Sequence, residues 1–173
     1  MRADLDRIFQ RWEEWSADML ESHVAYPILL FFRSSHDNES WISALGAILD
    51  ATTLVKTTVL DVSSGQAQVT GAIGAHVVED LSRFLRLPRN PAVGIDQVEF
   101  EAARERLRAA GFALRPDEQS WRDFQVVRAA YAGDLNGLAT FFAVPPALWI
   151  GDRSNVSHPA VPRWDPESSA PAG

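Results

Sequence analysis

The stretch Asn38 to Leu60, NESWISALGAILDATTLVKTTVL, decides the fold because, read as a helix, it has no clean polar face. Asn38 is a good N-cap residue, Asp37 and Glu39 suit the positive end of a helix dipole, and the apolar run follows directly. At about 100° per residue, Trp41, Leu45, Ile48, Thr52, Val55 and Val59 form one stripe, which Ile42 and Leu49 widen. The opposite side carries Ser43, Gly46, Ala47, Asp50, Thr53, Leu54 and Thr57, mostly small residues that let another helix backbone come close. A helix that packs on both sides is central. Asp50 then sits mid-helix among small neighbours, where an unpaired carboxylate costs several kcal/mol. It needs a cation, and Arg33 is the expected partner in a buried ion pair.

Working outward, the N-terminal residues predict a helix from about Ala3 to Glu21 whose apolar positions Leu5, Ile8, Trp12, Trp15 and Met19 repeat at spacings of three and four. This heptad seam fits helix pairing between subunits, and it also fits packing on the domain's own core. Pro27 biases Tyr26 away from helical backbone and breaks the chain there. The apolar run Ile28 to Phe32 reads as helix, because no second strand-like run exists to pair with it. Ser34 to Asn38 is the turn into the central helix.

Downstream, Asp61 to Gly65 punctuates the chain, and Ser63 or Ser64 can cap a third helix reaching about Arg86 with the stripe Val69, Ile73, Val77, Leu81 and Phe84. Its Gly71, Ala72, Gly74 and Ala75 match the small side of the central helix and predict an antiparallel pair. Leu87 to Gly94, LPRNPAVG, is a loop. Asp96 caps a fourth helix through Ala110, with Gly111 at its end. Pro116 and Asp117 start a fifth, with the stripe Trp121, Phe124, Val127, Tyr131, Leu135, Leu138 and Phe142, which Pro145 and Pro146 terminate. The expectation is an all-α protein: one bundle of about six helices over residues 1–150, then a disordered Pro- and Ser-rich tail over 151–173.

Size and composition agree with that reading. The chain has 173 residues, 46% apolar and 23% charged, ordinary for a globular domain with a sizeable core. The longest apolar run, Val24 to Phe32, holds a proline and is far short of the roughly 20 residues of a membrane span. Cysteine is absent and the N-terminus lacks a signal-peptide core, so a cytoplasmic location is expected. A net charge of -7 opposes phosphate backbones and argues against nucleic-acid binding.

The titratable residues that bear on chemistry are His23, His36, Asp37, Asp50, His76, Glu79 and Asp80. His76, Glu79 and Asp80 share a helix at i, i+3 and i+4 and can face one ion or form a plain polar edge. His36-Asp37 resembles the His-Asp pair of metal-dependent phosphohydrolases, but it falls in a turn and the separated helical ligands of that chemistry are not recognisable. No Gly-x-Ser-x-Gly elbow and no phosphate-cradling glycine loop is present. Nothing in the chain requires an enzyme.

One resemblance enters through the succession Trp12, Trp15, Leu20, Glu21, Ser22, His23, Tyr26, Pro27, Phe32, Arg33, Ser34, His36, Asp37, Ser40 and Trp41, then Leu45, Ile48, Leu49 and Asp50. It is similar to the cytoplasmic region that follows the pore in a family of bacterial two-transmembrane potassium-channel-like proteins. Tyr131, Leu135 and Leu138 with the closing Pro145, Pro146 and Trp149 are similar to how those chains end, so the resemblance covers about Arg11 to Ile150. Those channels carry two membrane helices and a Thr-x-Gly-Tyr-Gly filter upstream, which this sequence lacks, so it is not expected to conduct ions by itself.

The resemblance implies a non-enzymatic interaction or regulatory module that supports oligomeric assembly or gating, at the inner face of the plasma membrane where a pore domain is its partner. It suggests no cofactor. With it goes the expectation of a homo-oligomer formed through Leu5, Ile8, Trp12, Trp15 and Met19. The alternative is a metal- or small-ligand-binding helical protein, a hydrolase among the options, using His23, His36, Asp37, His76 and Asp80.

Overall fold

A computed structural model describes residues 2–31, 40–60, 65–90 and 95–144. Helix α1 spans Arg2–Ala25 and is followed by a 3-10 turn, Pro27–Phe31. Then come α2 (Trp41–Thr58), α3 (Gly65–Phe84), α4 (Gln97–Ala109) and α5 (Asp117–Phe141). The protein is all-α, with five helices and one 3-10 turn among the described residues. The caps Ser63 and Ser64, the terminating Pro145 and Pro146 and the expected tail all lie outside the described residues.

Two boundaries correct the sequence reading. Helix α2 starts at Trp41, where Ser40 in extended backbone accepts from the N–H of Ser43 at 3.0 Å, so the cap is Ser40, two residues beyond Asn38. Helix α5 ends before its prolines: Phe142 closes it and Ala143 turns to φ 50°, a left-handed conformation that continues no helix. Asp96 caps α4 as expected, within a full capping box to Glu99. Gly111 follows that helix at φ 86°, a conformation that strains any residue with a Cβ.

Helix α2 is packed on nearly all sides, with only Ala47 and Ala51 exposed along it. Thr52 meets Gly71, while Leu49 and Leu45 meet Gly74, so α3 runs antiparallel to α2 with its glycines against it, as their small side chains predict. Gly46 meets Leu135, Asp50 bonds Tyr131, and the Trp41 ring lies against Phe142, so α5 also runs antiparallel to α2, on another side. Together these helices enclose a core of Met19, Leu30, Ile42, Leu45, Leu49, Val77, Val78, Leu81, Tyr131, Leu135 and Leu138.

Helix α3 packs along α1, α2 and α5, whereas α2 meets α1 chiefly at its ends. At one end Phe9 clusters with Val55 and Ala67, and at the other His23 lies on Trp41. The expected α3 stripe is therefore offset: Val77 and Leu81 are fully buried, but Val69 and Phe84 are exposed, and Ala67, Thr70, Gly74 and Val78 take the inner positions. An isolated bridge between Val59 and Leu114 ties the end of α2 to the α4–α5 link. Phe100 of α4 packs on Trp121 and Phe124 of α5.

Candidate functional site

Three places concentrate chemistry or exposed apolar surface: a buried carboxylate between α2 and α5, the outer face of α1, and the bundle end where α1, the 3-10 turn, α2 and α5 meet.

At the first, Asp50 is 5% exposed and points at α5. Its Oδ1 accepts from Arg128 Nε at 2.9 Å and from the Tyr131 hydroxyl at 2.7 Å, while Oδ2 lies 3.5 Å from Arg128 Nη2. The phenol's single hydrogen goes to the carboxylate, so Thr53 Oγ1 donates to the Tyr131 oxygen, 3.1 Å away. Burial pushes the Asp50 carboxyl above its ordinary range, against the pull of Arg128 and the Tyr131 bond. Burial and the nearby Asp50 charge push the Tyr131 phenol well above 10.0. The arrangement neutralises a buried charge and fixes the register of α2 on α5, with no open face toward a substrate. The cation is thus supplied by α5; Arg33, the expected partner, lies outside the described residues.

The other ionisable candidates do not gather. His23 Nδ1 donates to the Met19 carbonyl at 2.8 Å, and its ring lies on Trp41. His76 Nε2 lies 3.1 Å from Asp80, and Arg83 pairs with both Glu79 and Asp80, so α3 carries an exposed ion-pair edge. His36 and Asp37 lie outside the described residues, among which no three His, Asp or Glu side chains come together to hold a metal.

Along α1 the heptad seam divides. Met19 is buried in the core, Trp15 packs against it, and Leu5 packs against Phe9, Val55 and Ala67. Ile8 is 50% exposed and Trp12 is half-buried, its ring edge-on to Trp15 at 5.2 Å. The true inner line is Phe9, Ser16 and Met19, so the seam runs along the border between core and outside.

At the bundle end, Val24, Tyr26, Ile28 and Phe31 are all exposed, Tyr26 most of all at 67%. Phe31 lies against Phe142 at 5.6 Å, which also touches Trp41 and the exposed Phe141. One continuous set of rings therefore runs from His23 through Trp41 and Phe142 to this surface. Pro27 builds it, by stopping α1 and turning the apolar run outward over a 3-10 turn that buries only Leu30.

Periodicity gives no sign of a further feature, a strap over α5. After α3 the chain crosses α5 at Gly137 and Gly133: Asn90 N–H donates to Gly133 O at 2.8 Å, and Asn136 donates to Asn90 O at 2.9 Å. Arg89 donates to the carbonyls of Ala129 and Ala130. The available signal is the glycine pair four residues apart in α5, where a Cβ on Gly137 would stand 2.7 Å from the Pro88 oxygen.

No family model matches this chain, and no curated protein or solved structure does. Among the described residues no helix is long and apolar enough to cross a membrane.

Proposed function

We propose that this chain is a non-enzymatic interaction module of the kind that follows the pore in bacterial two-transmembrane potassium-channel-like proteins, and that it supports assembly or gating on the cytoplasmic side. The observation that carries the reading is a coincidence of place. Ser22, His23, Tyr26, Pro27 and Trp41, which belong to the resemblance, gather at the bundle end where Tyr26, Ile28, Phe31 and Phe141 stand exposed. Apolar side chains clustered and left open at one end of the bundle mark a contact surface. The ionisable side chains favour this reading over ligand chemistry, since Asp50, Glu79 and Asp80 are each engaged by arginines.

Joined behind a two-transmembrane pore that has lost its own cytoplasmic region, the chain should raise the fraction of assembled pores on native electrophoresis. Tyr26→Ser with Phe31→Ser should remove that gain while helical content stays intact. An unchanged assembled fraction with the unmodified chain would sink the reading.

A further inference from the structure

We propose that in the free chain residues 145–150, PPALWI, dock on the exposed apolar end of the bundle, so that a partner reaches this surface only by displacing them; this rests on the reading of the bundle end as a contact surface. Those residues lie just beyond the last described one, Val144. The path of the chain up to that point aims them. Ala143 takes a left-handed turn, and the Val144 N–H donates back to the Ala139 carbonyl at 2.8 Å, which folds the end of α5 over itself. Val144 and Phe142 both pack on the core, and the Phe142 ring touches the exposed rings of Phe31 and Phe141. The chain therefore leaves the described structure beside the patch.

Reach and chemistry agree with that start. Pro145 and Pro146 favour extended backbone, in which Trp149 lies up to about 15 Å from Val144 at about 3.1 Å per residue. The 3-10 turn over Pro27–Phe31 spans only about 10 Å at about 2 Å per residue, so the whole patch is within range. Leu148, Trp149 and Ile150 are three consecutive large apolar residues, whereas the sequence after them spaces Val156, Val161 and Trp164 singly among polar residues. The patch itself is Val24, Tyr26, Ile28, Phe31 and Phe141. A stable interface between separate proteins takes roughly 20–30 residues a side, so a patch this small suits a short tethered segment better than a free second copy.

The chain has no cysteine, so two introduced thiols are the only ones. Ala25→Cys, exposed at the end of α1, and Gly151→Cys, just past the segment, spare every apolar side chain of both surfaces. With a short bis-maleimide, the full chain carrying both should link within itself, at monomer mass and at a rate independent of protein concentration. Adding Trp149→Ser and Ile150→Ser should slow that link about fivefold, because tethering alone then supplies the encounter. No link, or an unchanged rate, would overturn the docking; linkage only at dimer mass, rising with concentration, would assign the surface to a second copy and overturn it too. A second arm reads the sign of a change. Replacing Leu148, Trp149 and Ile150 together by serine should raise binding of the dye ANS about twofold by uncovering the patch, and adding Tyr26→Ser with Phe31→Ser should cancel the rise. A fall on the first replacement, the result for a segment that covers nothing, would overturn the proposal. Either failure leaves the bundle-end reading to its own test, the assembled fraction of pores.

Discussion

The hydroxyl of Tyr131 donates to Oδ1 of Asp50 across 2.7 Å, joining two residues 81 positions apart in the chain. That bond, the Arg128 contact beside it and the Thr53 hydroxyl on the same phenol are a polar fastening set into the apolar packing of α2 on α5. Asp50→Ala should therefore destabilise by about 3–5 kcal/mol, because it leaves Arg128 only 14% exposed and without its counter-charge. Tyr131→Phe, which keeps the ring, should lose about 1–3 kcal/mol. Urea titrations check both, and a change in Asp50→Ala within about 0.5 kcal/mol, the range of a surface substitution, would reject the fastening role.

The same carboxylate predicts a direction with pH. Its native pKa lies above 3.8, so the native state keeps the proton to higher pH than the unfolded chain does. The stability that Asp50 contributes is fully present below the unfolded value and is lost as pH rises through the native one. Subtracting the stability of Asp50→Asn from that of the unmodified protein should give a difference that falls as pH is raised from about 4. A difference that rises over that range would refute the dominance of burial.

Two glycines should respond differently to alanine. A Cβ at Gly137 meets the backbone oxygen of Pro88 at 2.7 Å, and backbone has little room to yield. A Cβ at Gly71 meets the Thr52 hydroxyl at 2.9 Å, a side-chain end able to move. Both gain about 0.8–1 kcal/mol of helix propensity. Gly137→Ala is expected to lose about 1–3 kcal/mol through overpacking, and Gly71→Ala to lie well below it. Thermal melts that rank them in the reverse order would show that the strap gives way easily.

Arg104 offers a sharper contrast between exposure and importance. It is 1% exposed, lies over the Phe100 ring, donates to the Arg115 carbonyl and pairs with Asp117, whose side chain is 65% exposed. Its Nε and Nη1 make no hydrogen bond, but Nε lies 3.4 Å from the Glu101 carboxylate in a second ion pair. Asp117→Ala, a surface change by accessibility, should cost about 1–3 kcal/mol, because it takes a hydrogen-bonded counter-charge from a buried guanidinium and leaves it Glu101 alone. Arg104→Met should be near neutral, since methionine fills the space without a charge to solvate. A denaturation series in which Asp117→Ala behaves like its exposed neighbour Glu118→Ala would discard this account.

Local pattern determined the helices and most of their punctuation in this protein, apart from the cap of α2 and the end of α5. The 3.6-residue period, the capping box at Asp96, the stop at Pro27 and the lack of any polar face between Trp41 and Thr58 act over a few residues, so they are legible in the chain itself. Sequence also marked Asp50 as a buried charge that needs a partner. Which cation answers it was decided by tertiary structure, because Arg128 and Tyr131 become neighbours only when α5 docks antiparallel to α2, and nothing local to Asp50 encodes that orientation. The heptad seam of α1 has the same history: its period is local, but whether Ile8 and Trp12 face the core or the outside depends on how far α1 is rotated against α3. That rotation is set by Phe9, Ser16 and Met19 finding the inner line, a choice made by packing between helices that are distant in the chain.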